Sequence, residues 1–256
     1  MRAVHSDQGT VLAPNQALIS GEAWLRANLD PRSRVLVVDR AIKTDLVRLG
    51  FPPASITGPD DDLAAFADVV RSSTRPYYAL TVPAAPPATA QPSPLVADLM
   101  QGANPLAAFG TDVQQVTVVQ LPSGGKARFR QQLSKDKGSR RQAGQALSQN
   151  TRITADAALS RMLSDGMLDL RAASMLAVLA EKSPLRLLPP PVDPAGRRVG
   201  APIRSIRFIG IPVAALAGIA DGLAADFHPL RIHENTDHSM TWTWSPIAAV
   251  PDQVGG

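Results

Sequence analysis

Apolar positions recur along the chain at helical and extended spacings in two runs, separated by a polar, basic stretch at 122–142. In the first run Leu18, Leu25 and Leu29 fall on one helical face with Trp24 beside them, because positions i, i+4 and i+7 stack on one side of a helix. Pro31 stops that helix, and the apolar string RVLVVD at 34–39 follows. An unbroken apolar run of this kind suits a strand covered on both faces, as in a parallel sheet. A second helix is predicted over 41–49 with Ile42, Leu46 and Leu49 inward, ended by Gly50 and Pro52. Ile56 marks a short strand, Asp61 opens a third helix carrying Leu63, Phe66 and Val70 inward, and 77–82 reads as a further strand. A proline–alanine linker at 83–92, a helix at 95–100 and a closing strand pair at 106–110 and 115–121 complete the run.

The second run opens near Ala143. Thr154 is a predicted N-cap, Leu159, Met162 and Leu163 form an apolar face, and Gly166 ends that helix. Asp169 caps another, with Ala172, Met175, Leu176 and Leu179 on one side. Strands are predicted at 185–188 and at 203–209, the latter with arginines interleaved, around a loop at 189–201 rich in Pro, Gly and Arg. Val213, Leu216, Ala220 and Leu223 form a helical stripe, and strands at 230–234 and 240–244 close a hairpin. The fold class this predicts is an α/β first lobe, a small open and mostly parallel sheet with helices. A second α+β lobe follows, its helices packed on a small mixed sheet that ends in the hairpin. The boundaries are a flexible N-terminus 1–15, the α/β domain 16–121, a basic linker 122–142, the α+β domain 143–247 and a tail 248–256.

Composition adds constraints. A chain of 256 residues with 45% apolar content can bury a core in each lobe. Aromatics make up only 4%, so Ala, Val and Leu carry most of the packing. The absence of cysteine excludes disulfides and thiol chemistry. A net charge of +4 permits anionic partners without requiring one. The positive charge concentrates in Lys126, Arg128, Arg130, Lys135, Lys137, Arg140 and Arg141. This connector is expected to be partly disordered or loosely helical, a solvated linker or a contact for anionic headgroups. Nucleic acid is not expected, since Phe129 is the lone aromatic in the cluster and single-strand platforms interleave several. The N-terminal MRAVHSDQGTV lacks the apolar run of a secretion signal. For a location outside the membrane, an export or anchoring segment is expected upstream of Met1.

Candidate chemistry is sparse. His233 and His238 stand five apart, not the four that puts two imidazoles of a helix on one metal; with His228 they could converge only through a hairpin. Asp60, Asp61 and Asp62 read either as ligands or as helix caps. Ser123, Gly124, Gly125 and Lys126 resemble part of a phosphate loop, but Ala127 stands where the motif needs a hydroxyl, so a turn is expected. Trp242 and Trp244 share one strand face and would form either a sugar-stacking platform or core. Asp39 and Arg40 sit at the carboxyl end of a predicted strand, where open α/β sheets collect ligands, though Asp39 also reads as a helix cap. No complete catalytic constellation, metal or cofactor is implied.

The strings AWLRAN at 23–28, RVLVVD at 34–39 and DLVRLGF at 45–51, with Phe109–Gly110 and VTVVQL at 116–121, resemble the extracytoplasmic C-terminal region of actinobacterial multi-pass membrane proteins. Those proteins are similar to dolichyl-phosphate-mannose or lipid-linked-sugar glycosyltransferases. In the second lobe, NTRIT at 150–154, Gly166 with Leu168–Asp169, and LAVLA at 176–180 are similar to a module of actinobacterial envelope proteins. The catalytic carboxylate of that group lies outside the region of likeness, and GPDDD at 58–62 replaces its acidic and aromatic positions. The resemblance therefore implies a non-catalytic, membrane-associated envelope module that docks on a glycosyltransferase-like partner or the membrane surface and binds glycan or a sugar-lipid carrier. The alternatives are a small-ligand-binding or enzymatic domain at the sheet edge near Asp39, a scaffold without a ligand, and a cytoplasmic location.

Overall fold

The computed structural model describes residues 14–82, 93–111, 115–224 and 227–246. The linker expected at 83–92, the tail 248–256 and residues 1–13 lie outside them. The elements are α1 (Pro14–Asn28), β1 (Arg34–Val37), α2 (Arg40–Arg48), β2 (Ile56–Thr57), α3 (Leu63–Ser72), β3 (Tyr77–Thr81), α4 (Pro94–Met100), β4 (Asn104–Phe109) and β5 (Val116–Gln120) in the first lobe. The second holds α5 (Lys126–Ser148), β6 (Ile153–Thr154), α6 (Ala157–Ser164), α7 (Leu170–Lys182), β7 (Leu185–Leu188), α8 (Pro194–Arg198), β8 (Ser205–Ile209), α9 (Val213–Asp221), β9 (Arg231–Glu234) and β10 (Met240–Thr243).

The first sheet has the order β2-β1-β3-β5-β4. β2, β1 and β3 run parallel, and β5 and β4 close the sheet antiparallel. Because side chains alternate along a strand, Val35 and Val37 of β1 pack with α1 and α2, while Leu36 packs with α3 and α4. Each face thus carries a helical layer, which is why the strand interiors are mostly apolar on both sides. Asp39 and Asp62, one residue before α2 and α3, accept hydrogen bonds from the backbone N–H of Ala41 and of Ala64 and Ala65; the third helix therefore starts after Asp62 rather than at Asp61. Glu22 of α1 is 6% exposed, and one of its carboxylate oxygens has no hydrogen-bond partner among the described residues. Burial, reinforced by the charge of Asp45 on α2, pushes its pKa up to about 7.

The second sheet, β6-β7-β8-β10-β9, is antiparallel except for the β6–β7 pair. Its core residues Leu185, Leu187, Ile206, Phe208, Met240 and Trp242 pack against α6, α7 and α9 on one face. The cap of α6 is Asp156, which accepts from Leu159 N–H, and the predicted cap Thr154 lies in β6. Ile203 forms only an isolated bridge to Leu168, so β8 begins at Ser205.

The stretch expected as a loose basic linker is a regular helix. α5 packs on α6 and α7, where Gly144 and Leu147 are buried, and Phe129 near its start is buried as well. Its charges hid this from a reading of the sequence, because few apolar residues mark its inner face. The contact is made by small residues: a Cβ on Gly144 would lie 1.8 Å from the Leu163 carbonyl oxygen. Gly166, at φ +68, turns α6 into α7 against the backbone of Arg141.

The lobes interlock. α8, which follows β7 of the second lobe, lies along edge strand β4, and its Ala195 belongs to the core of the first lobe. The Tyr78 hydroxyl donates to Pro246 O at 2.6 Å, and Arg198 donates to Gly110 O. Arg171, buried beside Asp169, donates to Ser245 O.

Candidate functional site

At the junction of the lobes lies an open cleft of about 1410 Å³. It is built from three pieces of chain. The segment 189–204, in which Pro189, Pro190 and Pro191 lead into α8 where the sequence pattern predicts only a loop, supplies one wall. Lys137 and Arg140 of α5, with the α6–α7 turn at Gly166 and Met167, supply another. The second sheet supplies the floor through Ser205, Thr241 and Thr243 and, at its edge, four consecutive residues from Leu230 to His233. These belong to the sheet face turned away from α6, α7 and α9, or to its open side.

One end of the cleft is closed by a buried polar knot. Arg204 donates to Asp193 Oδ2 at 3.0 Å, to Asn28 Oδ1 at 3.2 Å and to Trp244 O at 3.3 Å. Its guanidinium lies 5.1 Å from the ring centroid of Trp24, whose indole N–H donates to the same Asp193 oxygen. Asp193 also accepts the Gly196 N–H and so caps α8. Burial lowers the pKa of Arg204 and Asp193 opposes that shift. With its donors committed to protein acceptors, this arginine fixes the two lobes to one another.

The remaining cations of the lining differ. Arg140 is paired with Asp136 at 2.8 Å. Lys137, Arg197 and Arg231 have no ion-pair partner among the described residues. The carboxylates of the lining are Asp165 and Asp193, and the latter is engaged by Arg204. The cleft therefore presents uncompensated positive charge beside hydroxyls and prolines, a surface that attracts anions.

The structure disperses the residues singled out from the sequence. Asp39 and Asp62 are caps, Arg40 pairs with Asp60, and Lys43 pairs with Asp61, which also accepts the Gly58 N–H. These partners hold the Asp60 and Asp61 carboxyls below the usual carboxylate range. Trp242 and Trp244 are 0% exposed and pack on each other and on Phe208, so the sugar-stacking reading gives way to core. Among the described residues no group of three or more His, Cys, Asp or Glu could hold a metal. His238 instead lies 3.4 Å from Glu234, and His228 lies 3.1 Å from Leu223 O. Ser123 to Gly125 form a turn, Gly124 and Gly125 at positive φ.

Of the basic cluster, Lys126 is held by Asp98 at 2.5 Å and by Gln101 at 2.8 Å. Arg128, Arg130, Lys135 and Arg141 are exposed along α5, and Lys137 and Arg140 reach the cleft. Arg197, Arg204 and Arg231 were missed as site residues. The signal available for Arg197 was the density of Pro, Gly and Arg in 189–201, which reads as a loop until the fold places it opposite a sheet; Arg204 and Arg231 fall in or beside predicted strands and carried no signal of their own. No family model matches the chain, and no curated protein or solved structure matches it either. Among the described residues no helix is long and apolar enough to cross a membrane.

Proposed function

We propose that this chain is a docking module that holds an anionic partner in the cleft between its lobes and does no chemistry on it. The observation that carries this reading is the set of uncompensated cations, Lys137, Arg197 and Arg231, on walls that also offer hydroxyls and extended backbone. In the setting implied by the sequence resemblance, the partner belongs to a glycosyltransferase-like membrane assembly of the cell envelope.

Trp24 borders the cleft while Trp242 and Trp244 are enclosed, so tryptophan emission reports on occupancy. Titration with poly-glutamate should change the emission and weaken as salt rises. The combined Lys137→Ala, Arg197→Ala and Arg231→Ala variant should bind at least roughly tenfold more weakly. Undiminished binding by that variant, or none by the native chain, overturns the proposal. The envelope setting is tested separately by sedimentation with membranes and with purified cell wall; recovery wholly in the supernatant removes it.

One observation favours a second reading. Val192, exposed beside Pro189 to Pro191, gives the cations an apolar neighbour, as the phosphate and hydrocarbon of a sugar-lipid carrier would require. Vesicles containing a polyprenyl phosphate should then outcompete poly-glutamate, and phosphate-free vesicles should not.

A further inference from the structure

We infer that the occupant of the cleft is an extended acidic segment of a partner polypeptide, added as an extra strand along β9. This rests on the docking reading and names its mode.

Among the described residues β9 is the last strand of the second sheet and its outer edge is unpaired, and all four of its residues are exposed. A cleft lying over one face of a strand would be lined by alternate residues. Here Leu230, Arg231, Ile232 and His233 all line it, so the open edge fronts the cleft as well as the face.

The direction of the free backbone groups follows from the hairpin. Asn235 N–H donates to Ser239 O at 2.8 Å, which makes that pair hydrogen-bonded. Hydrogen-bonded and non-hydrogen-bonded pairs alternate along an antiparallel ladder. Glu234 opposite Met240 and Ile232 opposite Trp242 are therefore non-hydrogen-bonded pairs, and their N–H and C=O groups point outward, into the cleft. The inward groups belong to Arg231 and His233. Unpaired edges of this kind template strand addition.

The side chains set the preference. Ile232, opposite Trp242, is 46% exposed although it stands on the core side of the strand, and Leu230 just before the strand is 37% exposed, so apolar residues of an added strand would complete a surface the fold leaves open. Arg231 projects on the other side, without an ion-pair partner among the described residues, and Lys137 and Arg197 stand across the cleft. An occupant with apolar residues at alternate positions and carboxylates between them satisfies both sides and the backbone. The charge complementarity selects an acidic segment over a basic one.

The test uses a labelled peptide of alternating valine and aspartate, followed by fluorescence anisotropy with the whole chain. Its lysine-for-aspartate counterpart should bind at least roughly tenfold more weakly. Ile232→Pro removes one outward N–H and no ladder bond to β10, a change that edge strands accommodate; it should lower affinity by roughly tenfold or more while leaving the near-ultraviolet circular dichroism of the buried tryptophans unchanged. Two N-methylated peptides, blocked on alternate registers, give the same information without altering the protein: the register that faces β9 should fail and the other should bind. Equal binding by both, or by Ile232→Pro, overturns strand addition, while loss on Arg231→Glu would keep the anionic cleft. Failure of both the peptide and poly-glutamate sinks the docking reading as well. A peptide-free dimer abolished by Ile232→Pro would show that a second copy occupies the edge, and would overturn the proposal for a partner segment.

Discussion

The two sheets have five strands each and differ in what covers them. The first is enclosed by α1 and α2 on one face and by α3 and α4 on the other, and its edge strand β4 is sheltered by α8. The second has helices on one face; its other face and the edge at β9 carry Arg186, Ser205, Arg207, Arg231, His233 and Thr243, all exposed or half-buried. The difference separates a sheet committed wholly to packing from one that leaves surface available. A sheet closed on both faces spends its strand side chains on packing, whereas a sheet with one free face keeps alternate side chains and an edge available.

The contrast between the sheets predicts a graded series of stability effects. Gly144→Ala should destabilise the second lobe by about 3 kcal/mol or more, since the added carbon meets a backbone carbonyl that cannot yield without parting α5 from α6; loss of the tryptophan near-ultraviolet signal on warming would record it. Leu36→Ala, buried under the second helical layer of the first sheet, should cost about 3 kcal/mol in chemical denaturation. Asp193→Ala should cost about 2 kcal/mol, because it leaves the Arg204 charge buried and half-partnered. The Asp193→Ala, Arg204→Met double variant should recover part of that loss, which a denaturant series on the three proteins would show.

Glu22 gives the pH dependence. Its pKa is raised in the folded state, so the native chain binds the proton first as pH falls and stability increases as pH drops through about 7 toward the ordinary glutamate value of 4.5. The melting temperature should therefore be higher at the acid end of that window than above it. Glu22→Gln should remove this slope and stabilise the protein above the window by about 1–3 kcal/mol. The smallest effect is expected on the free face. Arg207→Ala should cost about 1 kcal/mol, because its ion pair with Asp237 is solvent-exposed and only its bond to Ser239 is part-buried. A cost as large as that of Leu36→Ala would show that the face is a structural surface after all.

Much of the architecture was legible because its signals are local. The runs at 34–37 and 77–81, the caps Asp39 and Asp169, and the stripe Ala172, Met175, Leu176 and Leu179 each declare an element through spacing or a single hydrogen bond. α5 was not legible, because it buries Phe129, Gly144 and Leu147 on a helix otherwise charged or polar, and the need for Gly144 exists only where α6 crosses it. The candidate site was legible only in fragments. Lys137 stood out as a basic residue, yet nothing nearby in the sequence tells it apart from Lys126, which Asp98 neutralises. Trp242 and Trp244 could be placed on one strand face, but whether that face is wet depends on α7 and α9, far away in the chain.

Local pattern was enough to mark most of the helices and strands and the two sheets, α5 and α8 excepted, since periodicity, caps and turns act over a few residues. Tertiary structure decided which sheet face stays open, which charges find partners, and that α8 of one lobe completes the core of the other. Those outcomes depend on burial and on Coulomb pairing across the chain, and both are fixed only once distant segments exclude water together.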